Sequence, residues 1–187
     1  AIGYGAAADS QNVSGTSGAT AVGASSRATW NSTAVGFQAN ANGTAMVTLG
    51  GAARTTGERG VAIGGGALAS GALSTVLGNG ARATHNSSVA LGEDSQSGGN
   101  TTFSIGSATR LRQLVNVADG TDDFDAITLH QLGGALDALG GGALLDGSGT
   151  VVGPTYSLAN GGDQTTVGDA LSALDDGVST LDTGIAE

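Results

Sequence analysis

The sequence predicts a mainly β chain that begins with a narrow solenoid of 14-residue coils and continues into helical and turn-rich segments. Three observations lead to this prediction. A small residue, an aliphatic residue and a glycine recur eight times within residues 1–109. The formal net charge of −10 arises entirely within residues 110–187, because residues 1–109 carry four acids and four arginines. Apolar residues close to the C-terminus keep a heptad spacing.

The repeat has a period of 14 residues. Its glycines stand at positions 3, 23, 36, 50, 64, 78, 92 and 106, so the gaps are 20, 13 and then 14 five times. A unit this short cannot form a helical hairpin, and alternation in triplets such as Val61-Ala62-Ile63 indicates an extended strand. Glycine permits tight corners, and equivalent positions then stack about 4.8 Å apart in neighbouring coils. The long first gap predicts a polar loop over residues 9–18.

We expect the first and third residues of each triplet to face the coil interior, which leaves the small central residue outside. Such a coil encloses only about two or three aliphatic side chains, and this core is too small for a stable monomer. A small, apolar outer face lets another chain approach closely, so the sequence predicts an obligate oligomer. An exposed strand face that merely lacks charges is the alternative.

The composition excludes several classes of protein. The 187 residues include 35 glycines but one proline and no cysteine, which rules out collagen, a disulfide framework and a thiolate metal site. No run approaches the roughly 20 apolar residues of a membrane-spanning helix, so direct membrane insertion is not expected. The acidic balance opposes binding to nucleic acid.

Two repeats carry a family resemblance. Residues 60–67 (GVAIGGGA) and 88–95 (SVALGEDS) resemble the YadA-like head repeat of trimeric autotransporter adhesins, and the resemblance covers about residues 1–109. It implies a left-handed parallel β-roll in an obligate homotrimer. It also implies display on the surface of a Gram-negative bacterium, as the extracellular part of an outer-membrane protein.

Residues 110–132 resemble the neck motif of the same family, which exchanges chains between neighbouring subunits and reduces the wide head to a narrow coiled coil. The residues themselves predict a short helix. Asp125 is a fair N-cap, leucines follow with 3, 4, 3 spacing, and three glycines at 140–142 end the helix.

The remaining chain divides into two segments. Residues 133–164 are predicted to hold the end of the short helix and a small β-containing connector with a turn at Gly153-Pro154. Residues 165–187 are predicted to begin a coiled-coil stalk, with Thr165 or Thr166 as its cap; the family implies three strands. The predicted trimer-interface residues are Leu129, Leu132, Leu136, Leu139, Val167, Leu171, Leu174, Val178, Leu181 and Ile185.

Little in the sequence resembles catalytic machinery, so neither an enzyme nor a cofactor is expected. The two histidines, His85 and His130, fall in different segments. The acidic cluster at 119–125 lacks the glycine and distal glutamate of an EF-hand loop, so we expect a solvated loop or partners for Arg110 and Arg112, in the neck and between chains.

Three aromatic residues are candidates for ligand contact. Trp30 is assigned to a turn position that is glycine in most other repeats, and Tyr4 and Phe37 each follow a repeat glycine. Exposed aromatics often anchor protein recognition, although a lone tryptophan also caps a coil edge or shields a subunit seam.

The resemblance predicts an adhesin fragment that attaches to host extracellular matrix, of the collagen or fibronectin class, or to host cells. A trimeric fibre or spacer with a purely structural role, as in a phage tail fibre, is the alternative.

Overall fold

The computed structural model describes residues 1–9 and 18–185 of the 187-residue chain. The chain divides into two compact units, Ala1–Gln113 and Leu114–Glu187. The first unit is a β-solenoid of about six turns, in which a typical repeat contributes two short strands. The predicted mainly β fold is therefore confirmed, whereas its left-handed winding stays a prediction.

The strands of the solenoid form two parallel sheets. The first sheet contains β2 (Thr20–Val22), β4 (Thr33–Val35), β6 (Val47–Leu49), β8 (Val61–Ile63), β10 (Thr75–Leu77), β12 (Val89–Leu91) and β13 (Phe103–Ser104). The second sheet contains β1 (Ala7–Asp9), β3 (Arg27–Thr29), β5 (Asn40–Ala41), β7 (Arg54–Thr55), β9 (Leu68–Ala69) and β11 (Arg82–Ala83).

Equivalent residues of successive repeats pair with one another. Ala62, for example, pairs with Thr48 on one side and Val76 on the other. The predicted loop over residues 9–18 is only partly described. Asp9 is the last residue of β1, Gly18 donates its N–H to the Asn31 side chain at 2.8 Å, and residues 10–17 lie outside the described part of the chain.

The repeat glycines form the corners of the coils. Gly64 has φ +135°, a conformation that L side chains rarely adopt, and a Cβ placed there would lie 2.3 Å from the carbonyl oxygen of Gly78. The same conflict recurs from coil to coil, because the corners stack directly on one another. Backbone conformation and coil spacing together therefore require glycine once in each repeat.

The interior of the solenoid contradicts the expected inside–outside assignment. The central residues of the triplets are buried, as Ala62 and Val76 show with 0% exposure, whereas the flanking Leu77 and Leu91 are 47% and 39% exposed. The side chains buried in the solenoid are mostly those of alanine, serine and threonine, with Met46 and Val76 the largest. Thr33 and Thr75, expected at inward positions, therefore lie on the outer surface.

Buried hydroxyls in this interior are hydrogen-bonded. Thr48 and Thr55 are both 0% exposed, and the Thr48 hydroxyl donates a hydrogen bond to the Thr55 hydroxyl oxygen at 2.7 Å. The pair lies between two clusters of buried apolar residues. Ser74 donates to the carbonyl oxygen of Gly71 at 2.6 Å and so fixes a corner. These pairs satisfy polar groups that would otherwise be costly to bury.

Arg110 and Arg112 bind the last complete coil of the first unit. Arg110 forms ion pairs with Glu93 at 2.6 Å and Asp94 at 3.3 Å. Arg112 donates to the carbonyl oxygens of Ile105 at 2.6 Å and Glu93 at 2.7 Å. Within the single chain, acceptors in the solenoid thus occupy both guanidinium groups, and the expected contact with the acidic cluster of a neighbouring chain stays a prediction.

The second unit contains helix α1 (Leu129–Leu139), helix α2 (Val167–Ile185) and two antiparallel hairpins between them. The hairpins are β14 (Leu144–Leu145) with β15 (Val151–Val152), and β16 (Tyr156–Leu158) with β17 (Gly162–Gln164). Within the described residues, no helix is long and apolar enough to span a membrane.

The caps of the helices differ in part from the expectation. Thr128, not Asp125, caps α1 in a capping box with Gln131. Asp125 instead accepts the backbone N–H of Thr121 at 3.0 Å, because it closes a turn ahead of the helix. Thr166 caps α2, accepting the N–H of residue 169 at 3.0 Å, and Gly140 ends α1 with φ +66° as its position predicts.

Candidate functional site

The outer surface of the first sheet carries a row of large aliphatic side chains, which we call the aliphatic stripe. Its members pair in register across six successive strands, so they stack in one column along the solenoid. Sequence reasoning missed this surface because it placed these residues inside. An exposed apolar patch of this extent marks an interaction surface. The stripe consists of Val22, Val35, Leu49, Ile63, Leu77 and Leu91.

Tyr4 and Phe37 lie on one corner of the solenoid, separated by one intervening coil. Ser25 donates its N–H to the carbonyl oxygen of Tyr4, and Gln38 donates its N–H to the carbonyl oxygen of Ala24. The coil that contains Ala24 and Ser25 therefore lies between the coils of Tyr4 and Phe37. Tyr4 is 92% exposed and Phe37 is 59% exposed. Two strand spacings of about 4.8 Å place their backbones about 10 Å apart.

Trp30 does not occupy the glycine position that the sequence suggested. Ser32 donates its N–H to the carbonyl oxygen of Thr29 at 2.9 Å, as Gly60 does to Gly57 at 3.1 Å. Thr29 therefore stands at the glycine position, and Trp30 follows it with φ 21°. The missing residue of the 13-residue repeat explains the shift. Trp30 is 44% exposed on a different corner from the other two aromatics.

The predicted interface residues of the second unit are exposed in the single chain, except that Leu132 is partly buried and Leu136 is buried. Leu171, Leu174 and Leu181 on α2 are 62%, 51% and 63% exposed, and the heptad face of this helix is uncovered. Leu136 is only 7% exposed, because α1 packs on β14 and covers it within the chain. Little of its surface remains for a partner.

Two carboxylates of the acidic cluster, Asp119 and Asp125, form hydrogen bonds with nearby residues of the same segment. The Asp119 carboxylate accepts a hydrogen bond from the Thr128 hydroxyl and lies 3.1 Å from Nδ1 of His130. These bonds, the Thr128 bond above all, lower the pKa of Asp119. The backbone N–H of Thr121 likewise lowers the pKa of Asp125. Among the residues that the structure describes, no group of three or more acids and histidines is placed to hold a metal ion.

The second unit also carries a shallow apolar groove ahead of α1. Leu114 and Val117 line one side, and Ile127, Leu129 and Leu132 line the other. Leu129 is 62% exposed beside it. The groove therefore adjoins two of the leucines predicted to contact a neighbouring subunit.

Two curated adhesins are similar to part of this chain. The trimeric autotransporter adhesin AtaA of Acinetobacter sp. (strain Tol 5) is 41% identical over 83 residues, which is 38% of this chain and 2% of AtaA. The autotransporter adhesin EhaG of Escherichia coli O157:H7 is 45% identical over 76 residues, which is 37% of this chain and 4% of EhaG. The chain thus spans a small fraction of either protein. No family model matches it.

A solved structure extends the similarity to the fold. The collagen-binding domain of the Yersinia adhesin YadA is 31% identical, with a TM-score of 0.53, over 64% of this chain and 75% of that domain. The chain belongs to the trimeric autotransporter adhesins. Adhesins of this family are displayed on the outer surface of the bacterial cell, and the fold and relatives of this chain are those of adhesins rather than enzymes.

Proposed function

We propose that this chain is the head, neck and first stalk segment of a non-enzymatic surface adhesin that attaches a Gram-negative bacterium to host extracellular matrix or host cells. The observation that carries the proposal is the stack of in-register repeats, which presents the same outer positions many times over. The likeness to a domain named as collagen-binding supports a matrix protein of the collagen or fibronectin class as the ligand.

The proposed adhesin is a homotrimer, and the aliphatic stripe supports this assembly. Leu77 is 47% exposed in the single chain, and its equivalents continue the same surface through the neighbouring coils. Fully burying an aliphatic side chain contributes about 1.5–3 kcal/mol. Six residues in each chain, of which Val35, Leu77 and Leu91 are the most exposed, therefore favour burial against copies of themselves.

The uncovered heptad face of α2 supports the same assembly in the stalk. Its apolar residues follow a 4, 3 spacing from Val167 to Ile185, and one face of the helix is already occupied, since Ala170 is 8% exposed near the hairpin β16–β17. Helices of this length are marginal alone in water, so packing against equivalent helices is the expected source of their stability.

Leu171→Asp is expected to dissociate the C-terminal helices while the solenoid stays folded. The change places three carboxylates in one apolar layer, where removing charges from water costs several kcal/mol. Helical circular dichroism should then melt well below the β signal. Ser172→Asp, the same change at the adjacent exposed position, is the control and should leave the melting profile unchanged. Equal effects of the two variants would contradict a coiled coil in this segment.

Binding is expected to spread over stacked repeats, because three copies of a repetitive surface sum individually weak contacts. Deleting one 14-residue coil, residues 65–78, keeps the register of the remaining coils and should weaken binding to immobilised collagen or fibronectin stepwise. Trp30→Ala should weaken binding by less than about fivefold, as expected for one contact among many. Deletion trimers of equal thermal stability are the required comparison.

Two results would change this assignment. Complete loss of binding by Trp30→Ala alone would point to one localised site. Unchanged binding after several coils are removed would assign the solenoid the role of a spacer.

A further inference from the structure

The outer surface of the second sheet carries a straight row of arginines, which we call the arginine row. Arg27, Arg54 and Arg82 stand at the same position of their coils, and strand pairing through Asn40 and Leu68 places them in one column. Successive arginines are separated by two strand spacings, or about 10 Å. All three side chains are exposed.

Among residues 1–9 and 18–185, no acid forms an ion pair with the arginine row. Within the described residues, the ion pairs of arginine involve Arg110 alone, and the three guanidinium groups of the row make no side-chain hydrogen bond. Asp9, at the end strand β1, is the one acid in the six described strands of this sheet. The balanced charge of the solenoid is therefore segregated, with a basic face on this sheet.

Short polar side chains run alongside the arginines. Two residues further along four successive coils stand Asn42, Thr56, Ser70 and Thr84, all exposed. The equivalent residue after Arg27, Thr29, is buried instead. The basic face therefore offers exposed hydroxyl groups two residues after Arg54 and Arg82. It also lies opposite the aliphatic stripe, so burying the stripe in a trimer leaves the arginine row facing outward on every subunit.

We propose that this face binds a linear anionic polysaccharide that carries sulfate or carboxylate groups and lies along the solenoid axis. Guanidinium groups bind such anions through paired hydrogen bonds. A polysaccharide of this class repeats its anionic groups at least once per disaccharide, a length similar to two strand spacings. The flanking hydroxyls and amides are suited to sugar hydroxyls. This inference rests on the proposed adhesive function, for which it names a second class of ligand.

The geometry favours a polysaccharide over nucleic acid. Binding of single strands relies on aromatic side chains on which the bases stack, and the described strands of the second sheet contain none. Duplex binding relies on many phosphate contacts, and the described strands of this face offer three arginines.

The test measures binding of a heparin octasaccharide to the full chain at about 0.15 M ionic strength. The triple variant Arg27→Gln, Arg54→Gln, Arg82→Gln should bind roughly tenfold more weakly or worse, because exposed ion pairs contribute up to about fivefold each. Its binding should also depend less on salt. Arg59→Gln removes the same charge at a corner outside the row and should change affinity by less than about twofold.

Several outcomes would overturn the proposal. The first is a wild type that does not bind heparin, and the second is an equal loss of heparin affinity in the triple variant and in Arg59→Gln. The third is dissociation of the triple variant into monomers, which would place the row at a subunit interface. If poly-glutamate binds as tightly as heparin and is weakened equally by the triple variant, the face would be assigned to acidic polypeptides. Collagen and fibronectin binding is measured in parallel. Retention of matrix binding when heparin binding is absent would overturn this inference alone, whereas absence of attachment to matrix and cells would count against the proposed function.

Discussion

Gly64→Ala is expected to unfold much of the solenoid. The residue has φ +135°, and its new Cβ would lie 2.3 Å from the carbonyl oxygen of Gly78 in the next coil. The backbone of that coil is held in turn by the next coil, since the N–H of Gly92 donates to the carbonyl oxygen of Leu77 at 2.7 Å. Strain and overlap together should cost more than about 3 kcal/mol per chain, which is exceptional for one methyl group. Thermal unfolding followed by β-sheet circular dichroism measures the loss.

Gly66→Ala is the matched control for this prediction. Gly66 lies two residues away in the same corner, with φ +65°, and no atom lies within 4 Å of its added Cβ. The substitution should therefore cost only the conformational strain, about 1–2 kcal/mol. If both variants melt at the same temperature, the close stacking of the corners does not determine the stability of this fold.

Leu77→Asp is expected to abolish the proposed trimer while each solenoid keeps its fold. Leu77 is 47% exposed in the middle of the aliphatic stripe, so a single chain tolerates aspartate there. In the trimer, three copies each lose the burial of the exposed half of a leucine, about 1 kcal/mol, or roughly 3 kcal/mol together, which corresponds to about two orders of magnitude in the assembly constant. Burial of the carboxylates adds to this loss.

Sedimentation equilibrium at micromolar concentration measures this effect. The wild type should sediment at three times the chain mass of 17.8 kDa, and the variant at the chain mass. Ser70→Asp adds the same charge at an exposed position of the solenoid outside the stripe and should remain trimeric. A trimeric Leu77→Asp protein would show that the stripe is not the subunit interface, and a monomeric wild type would reject the trimer itself.

Much of the fold could be predicted from local sequence. The 14-residue period determined the coils, because a repeat of this length with alternating triplets leaves few other ways to satisfy the backbone. The glycines at 140–142 predicted the end of α1, and the threonines at 165 and 166 predicted the start of α2, of which the structure selects Thr166. The heptad spacing marked the apolar face of α2 before any contact was known.

The candidate surfaces were harder to predict, because they depend on which side of each strand is covered. Period-two alternation defines two faces but does not say which one is buried, so Ile63 was placed inside and Ala62 outside. Packing inside the solenoid decided the matter, since the interior is filled mostly by alanine, serine and threonine side chains. Register decided the position of Trp30 in the same way, because one missing residue moved it away from the glycine position.

The sequence by itself determined the repeat, its glycine corners, the helices and the resemblance to a family. Only the tertiary structure decided that the aliphatic stripe faces outward, that Arg110 and Arg112 bind the last coil, and that three arginines 27 and 28 residues apart form one row. The physical reason is that local preferences act over a few residues, whereas these surfaces arise from packing and strand register between residues far apart in the chain.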